Sequence, residues 1–228
     1  MKNEGLIYRI SGPVVTAIDM KAAMYDVVRV GTEGLMGEVI ELHGDKAVIQ
    51  VYEDTSGIRP GEIVVNTGET LSVSLGPGLL TQIYDGIQRP LPTLEKEMGV
   101  FLTRGVDADA FDLDKIWTFE PQVSVGDTVV GGQVVGHVQE TDTIVHKIMA
   151  VPGAGGVVKS IESGDFNVTQ TICTFEDGSD MQMMQKWPVR TPRPYQQKYP
   201  PVIPLITGMR ILDFLFPLAK GGAAGIPG

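Results

Sequence analysis

The sequence has few of the residues on which several classes of protein depend. It contains a single cysteine, Cys173, within the largely apolar segment 171–175. This excludes a disulfide framework and a metal site built on paired thiolates. Lysine and arginine number 18 against 28 aspartates and glutamates, which gives a formal net charge of −10. Because such an acidic chain repels phosphate backbones, we expect no nucleic acid among its partners.

Long uninterrupted apolar runs are also missing. The most apolar late stretch, residues 202–219, includes two prolines, Arg210 and Asp213, and therefore makes a poor membrane span. The polar start of the chain has no signal-peptide pattern. These features predict a soluble protein of the reducing cytoplasm.

Motifs for catalysis and metal binding are equally scarce. No Gly-x-Ser-x-Gly motif occurs, and no histidine has a second metal ligand at helical or hairpin spacing; the three are His43, His137 and His146. Aspartates cluster at positions 107, 109, 112 and 114, without the glycine and glutamate of a calcium-binding loop. We therefore expect a solvated loop there, and neither a catalytic residue nor a metal site in the chain.

Glycine and proline, in contrast, are abundant, with 28 and 15 copies that separate short β-branched runs. Short β-branched runs separated by glycine and proline are typical of mainly β proteins. Five early runs predict strands: Leu6–Ile10, Val14–Ile18, Val27–Val30, Met36–Leu42 and Lys46–Tyr52. Their length and spacing favour a small closed β-barrel of the six-stranded type over residues 1–75.

A connector with one helical turn near Leu79–Tyr84 is predicted for residues 76–110, followed by a second β-rich domain over residues 111–186. Three segments of that domain predict strands: Val125–Val138, Val157–Ile161 and Phe166–Val168.

The second domain resembles the barrel-sandwich fold of biotinyl and lipoyl carriers, because Gly-Asp turns alternate with valine-rich segments. One alternative function is therefore that of a carrier domain in which Lys147, at a hairpin tip, holds the cofactor. The neighbours of Lys147 are His146 and Ile148, whereas methionines usually flank a biotin-accepting lysine. The pattern therefore supports the topology more than the function.

Residues 187–228 begin with a proline-rich arm, which excludes regular helix over 188–204. Thr207 is then placed to cap a short helix, Met209–Phe216, which Pro217 ends. The apolar face of that helix predicts packing on an α/β phosphate-loop domain that these residues do not contain.

The glycine-rich last residues share some features with a phosphate-binding loop. Such a loop has the pattern Gly-x-x-x-x-Gly-Lys-[Ser/Thr], and its backbone N–H groups and lysine surround the phosphates. The chain has no complete copy, and Lys220 is in the wrong order because two glycines follow it. We predict that Gly228 is the first residue of such a loop and that its other positions follow the last residue.

The segment Trp187–Gly228 resembles the approach to the phosphate loop in the catalytic A subunit of V-type and archaeal-type rotary ATPases. Three further blocks are similar to the same family in collinear order: Val51–Ile58, Leu75–Leu80 and Tyr84–Leu91. The sequence thus resembles the N-terminal part of that catalytic chain.

The resemblance implies a parent enzyme that hydrolyses or synthesises ATP, uses Mg-ATP, and couples this to H⁺ or Na⁺ transport. It implies that the barrel joins an alternating hexameric ring of A and B subunits. Residues 111–186 would be the bulge domain that contacts the peripheral stator. Central rotor subunits and, indirectly, a membrane sector complete the expected partners, and the location would be cytoplasmic and peripheral to the membrane.

The residues past Gly228 would carry the lysine and the water-activating glutamate of this family. Because phosphoryl transfer depends on those groups and on magnesium, we expect no ATPase activity and no bound cofactor for the 228 residues alone. A further alternative is a non-catalytic structural or interaction module built from the same domains.

Overall fold

The structure is a computed structural model that describes residues 3–99, 103–195, 197–225 and 227. It confirms the mainly β fold: the described residues form 16 strands, one α-helix and one π-helical turn.

Six strands close the first barrel: β1 (Glu4–Ser11), β2 (Val14–Ile18), β3 (Asp26–Val30), β4 (Leu35–His43), β5 (Lys46–Val51) and β6 (Ile63–Thr70). Neighbours are antiparallel in the order β1-β2-β5-β4-β3-β6, and β6 pairs back with β1. All five strands predicted by residue are present within two residues of their expected ends. The sixth, β6, was not predicted by residue.

The barrel interior is filled by the inward side chains of these alternating strands. They form one cluster: Ile7, Val15, Ala17, Val28, Val30, Leu35, Val39, Ala47, Ile49, Val51 and Val64. Burying each large aliphatic side chain contributes about 1.5–3 kcal/mol, which makes this cluster the main source of barrel stability. Closure also leaves no unpaired strand edge in the barrel.

The later strands are β7 (Ser72–Leu75), β8 (Trp117–Pro121), β9 (Thr128–Val129), β10 (Val134–Thr141), β11 (Ile144–Met149), β12 (Gly156–Ile161), β13 (Gly164–Phe166), β14 (Thr171–Phe175), β15 (Asp180–Gln182) and β16 (Gln185–Pro188). They form two four-stranded sheets, β11-β10-β8-β13 and β15-β14-β12-β9, and a two-stranded sheet of β16 with β7. Residues of both larger sheets, among them Phe119, Val135, Val158 and Cys173, share one apolar core.

The predicted helical turn near Leu79–Tyr84 is wrong, and the connector helix, α1, lies at Leu91–Met98. Thr81 has a φ of 67°, which a right-handed helix cannot contain. Pro92 falls in the first turn of α1, where proline is tolerated because its missing N–H has no partner there.

Residues 193–228 form a separate compact unit. Pro204 bridges Ala219, and the flanking bonds run from Leu205 N to Leu218 O and from Lys220 N to Ile203 O, each 2.8 Å. No regular helix occurs among the described residues of the arm, 188–195 and 197–204.

The predicted helix Met209–Phe216 is instead a single π-helical turn, Ile211–Leu215, whose N-cap is Arg210 and not Thr207. Thr207 donates its hydroxyl to Asp213 (2.7 Å) and accepts the N–H of Met209 (3.1 Å). Asp213 also accepts the N–H groups of Thr207 and Gly208. This side-chain bonding to the preceding loop replaces the predicted cap.

Candidate functional site

A buried arginine joins the end of the barrel to the connector. Glu53 follows β5, and its Oε1 accepts a 2.7 Å hydrogen bond from Nη1 of Arg89. Nε of Arg89 donates to Asp85 (2.7 Å), and Nη1 also donates to the carbonyl of Val106 (2.7 Å). We call Glu53, Asp85 and Arg89 the Arg89 cluster; their side chains are 11%, 17% and 11% exposed.

The local sequence positions Arg89 through a turn around Asp85. One carboxylate oxygen of Asp85 accepts the N–H groups of Ile87 (3.0 Å) and Arg89 (2.8 Å). Burial alone would raise the pKa of Asp85, but these bonds and the guanidinium hold that pKa below its ordinary value. The cluster is therefore an ionised, hydrogen-bonded joint.

A second arginine reinforces the same region. Arg104 pairs with Glu33 (2.6 Å) and donates to the carbonyls of Asp54 and Ser56. The N–H of Gly105 reaches Glu53 Oε2 (2.9 Å). Together these bonds hold residues 104–106 against the loop that follows β5.

A buried glutamate joins the connector to the second β-rich region. Glu140, on β10, has a side chain only 3% exposed and accepts the N–H groups of Gly78 (2.7 Å) and Leu80 (3.2 Å). Its other oxygen lies 2.8 Å from Nδ1 of His146. Burial favours the neutral acid, yet these hydrogen bonds hold the pKa of Glu140 below its ordinary value.

A further buried carboxylate ties the segment after β16 to the barrel. The side chain of Glu38 on β4 is 3% exposed and accepts hydrogen bonds from Nε of Arg190 (3.1 Å) and from the hydroxyl of Tyr52 (3.2 Å). The guanidinium lies 4.2 Å from the ring centre of Tyr25. Burial, followed by the negative charge of Glu38, raises the pKa of Tyr52.

The outer wall of the barrel carries exposed apolar side chains on two paired strands. Leu6 lies directly opposite Ile63 in the β1–β6 register. Tyr8 on β1 and Val65 on β6 point to the same outer side, and the four are 38–54% exposed. We call Leu6, Tyr8, Ile63 and Val65 the barrel stripe.

The structure corrects the expected position of Lys147. This residue lies within β11 opposite His137, and the β10–β11 turn is at residues 142–143. The lysine is therefore exposed on a strand and is not at a hairpin tip, unlike the acceptor lysine of a carrier domain. Gly228, the predicted first residue of the phosphate loop, lies outside the described residues.

Among the described residues, no group of three or more histidine, cysteine, aspartate or glutamate side chains could hold a metal ion. His43 contacts Glu41, His137 contacts Glu120, and Asp107 of the acidic cluster pairs with Arg29. Nor does any helix in the part of the chain that the structure describes have the length and apolar character to cross a bilayer.

Two family models match the two β-rich regions. Residues 7–68 match the "ATP synthase alpha/beta family, beta-barrel domain", and residues 108–190 match the "barrel-sandwich domain" of the "ATPsynthase alpha/beta subunit". The chain therefore belongs to the ATP synthase alpha/beta family.

Within that family the chain is similar, along its whole length, to the N-terminal region of the A subunit of A-type ATP synthases. It is 60% identical to the A subunit from Methanosarcina barkeri over 228 residues, which is all of this chain. It is 62% identical to the A subunit from Methanocorpusculum labreanum over 225 residues, or 98% of this chain. In both cases the chain spans 39% of the relative's length.

The role of Arg89 and Glu140 was not predicted from sequence. The sequence does contain a signal for Arg89, because Glu53 and Arg89 lie in two of the blocks that carry the family resemblance. Glu140 and its contacts at residues 78–80 are about 60 residues apart, and no pattern in the sequence pairs them.

Proposed function

We propose that these residues are the assembly portion of a rotary ATPase catalytic subunit, with the barrel as the surface that joins neighbouring subunits. The observation that carries the proposal is the barrel stripe, four exposed apolar side chains on adjacent strands. A closed barrel offers no strand edge for pairing, so a neighbour has to bind its outer side chains.

The Arg89 cluster and Glu140 support a mechanical role for the rest of this region. Buried, ionised joints fix the connector to the barrel at one end and to β10 at the other. The connector would therefore transmit force between the barrel and the second β-rich region as a rigid element and not as a flexible linker.

The parent enzyme, in this proposal, binds Mg-ATP and couples its hydrolysis or synthesis to H⁺ or Na⁺ transport. Its partners are the B subunits and other A copies in an alternating ring, with central rotor and peripheral stator subunits, at the cytoplasmic side of a membrane sector. The relatives, which are A subunits of A-type ATP synthases by name, support this assignment.

The test of assembly is association of the chain with the B subunit of the Methanosarcina barkeri A-type ATP synthase, measured by sedimentation velocity. The variant Leu6→Glu/Ile63→Lys places opposite charges on directly paired residues, so the barrel itself keeps a favourable cross-strand pair. We expect this variant to bind at least about tenfold more weakly, because two apolar side chains lose their burial.

The matched control, Ile116→Glu/Val125→Lys, changes two exposed apolar residues outside the barrel and should bind as the unmodified chain does. Equal binding by the stripe variant would remove the stripe from the interface. Failure of the unmodified chain to associate at all would contradict the assembly role.

Mg-ATP hydrolysis by the 228 residues alone should be undetectable. Turnover that scales with the amount of this chain would contradict that expectation. Sequencing the locus beyond the codon for Gly228 distinguishes a catalytic parent, which has a Gly-Lys-Thr sequence there, from a non-catalytic module.

A further inference from the structure

The outer face of β1 carries opposite charges at its two ends. Glu4, Leu6 and Tyr8 are exposed and alternate with buried residues, so their side chains stand in a line on the outside of the barrel. At the Tyr8 end, Nζ of Lys46 on β5 lies 4.5 Å from the ring centre of Tyr8. Because β2 separates β5 from β1, the Lys46 side chain reaches across β2 to this position. The line therefore runs from a carboxylate, through Leu6, to an aromatic ring that holds an ammonium group.

Neither of the two end charges is neutralised within the described part of the chain. No cation there pairs with Glu4, and no carboxylate pairs with Lys46. The arginine beside the stripe differs, because Arg29, opposite Val65 in the β3–β6 register, already pairs with Asp107. Glu4 and Lys46 are thus the charges at this face that can pair with another molecule.

The surface between these charges is apolar. Leu6 lies opposite Ile18 of β2 on one side and opposite Ile63 of β6 on the other. Val65 continues the apolar surface along β6. A contiguous exposed patch of this kind, with charged residues at its rim, is typical of a protein–protein contact.

This arrangement of charges is complementary to itself. A two-fold axis that crosses β1 at Leu6 exchanges the two ends of the line. Glu4 of one copy then faces Lys46 of a second copy, and the same pair forms again on the other side of the axis. The apolar residues of the two copies meet in the middle.

We propose that the barrel stripe binds a second copy of this chain in a symmetric dimer, in which Glu4 of each copy pairs with Lys46 of the other. The contact is small, because only a few side chains on a convex barrel wall can meet, so the dimer is weak and reversible. This goes beyond the proposed ring contact, in which the stripe meets a different chain. The B subunit would compete with the second copy for the same stripe.

The test is sedimentation equilibrium of the 228-residue chain over a series of concentrations. The average mass of the unmodified chain should rise with concentration toward that of a dimer. Lys46→Glu and Glu4→Lys should each weaken self-association by about 4- to 100-fold, because two exposed ion pairs become two like-charge contacts.

An equimolar mixture of these two variants should associate about as well as the unmodified chain. In the mixed dimer the introduced glutamate faces the introduced lysine, and the native Glu4 faces the native Lys46. The control is the same experiment with Lys159→Glu and Glu176→Lys, which make the same charge changes at exposed residues outside the barrel. These variants should associate as the unmodified chain does, alone and mixed.

Glu4→Lys alone keeps the test decisive if Lys46→Glu does not fold, because Glu4 is exposed at the start of β1. The weakened association of Glu4→Lys should then recover in part at high salt, where like-charge repulsion is screened.

Three results would overturn the proposal. The first is an unmodified chain that stays monomeric up to its solubility limit. If such a chain still binds the B subunit, the ring proposal stands and the stripe serves that partner alone. The second is a mixture that associates no better than its separate components. The third is self-association that neither charge change affects, which would place the contact elsewhere, such as the exposed apolar residues of 193–228.

Discussion

Replacing Arg89 with methionine should be among the most destabilising substitutions in the connector. The guanidinium donates in two directions, to Asp85 through Nε and to Glu53 and the carbonyl of Val106 through Nη1. Methionine keeps an apolar stem of similar length but leaves two largely buried carboxylates without their counter-ion. Removing one partner of such a pair costs about 3–5 kcal/mol.

Urea denaturation followed by circular dichroism measures this cost. With a urea dependence of about 1–3 kcal/mol per molar, the midpoint should fall by at least ~1 M. Arg89→Lys should recover only part of the loss, because an ammonium group cannot reproduce the planar fork.

The control is Lys186→Met, since Lys186 lies 3.7 Å from Glu69 with both side chains about two-thirds exposed. Exposed pairs contribute about 0–1 kcal/mol, so this midpoint should barely change. If the two methionine variants unfolded at the same urea concentration, the Arg89 cluster would contribute no more to stability than an exposed ion pair does.

Three further predictions concern single buried positions. The pKa of Glu140 is depressed from 4.5, so the stability that its carboxylate contributes is present above that pH and is lost as the pH falls. Glu140→Gln should therefore flatten the decline of Tm between about pH 5 and 3. Parallel plots of Tm against pH for the two proteins would contradict this. Gly136→Ala should lower the free energy of unfolding by about 1–3 kcal/mol through overpacking, because the new Cβ would lie 2.3 Å from Phe119 Cε2. In the control Gly86→Ala the new Cβ meets no atom within 4 Å, so Tm should stay nearly unchanged. Cys173 is 1% exposed and burial raises the pKa of its thiol; it should react with a thiol reagent only as fast as the chain opens, and rapid native-state labelling would refute that.

The strands of the barrel were predictable because their pattern is local. In β2 and β5, buried and partly exposed residues alternate, which directly reports one face packed on a core. β6 follows the same alternation at its start, but one of its inward residues is Asn66, whose amide donates to the buried Asp26 (2.7 Å). A polar inward residue interrupts the apolar pattern, and only its distant partner explains it.

The helix was misplaced for a related reason. Apolar residues near Leu79 suggested a helical turn, but Glu140 takes the N–H groups of Gly78 and Leu80 and holds this segment in another conformation. A contact between residues so far apart in sequence outweighs the weak local propensity of a single turn.

The sequence by itself determined the mainly β class, the early strands and the family resemblance, because strand periodicity and motif blocks are encoded in neighbouring residues. The tertiary structure decided which charges are buried together and which remain at the surface. It paired Glu53 with Arg89 and Glu38 with Arg190, and it placed Lys46 over the ring of Tyr8. The physical reason is that desolvation and hydrogen bonding depend on distances between remote segments, which exist only after the chain has folded.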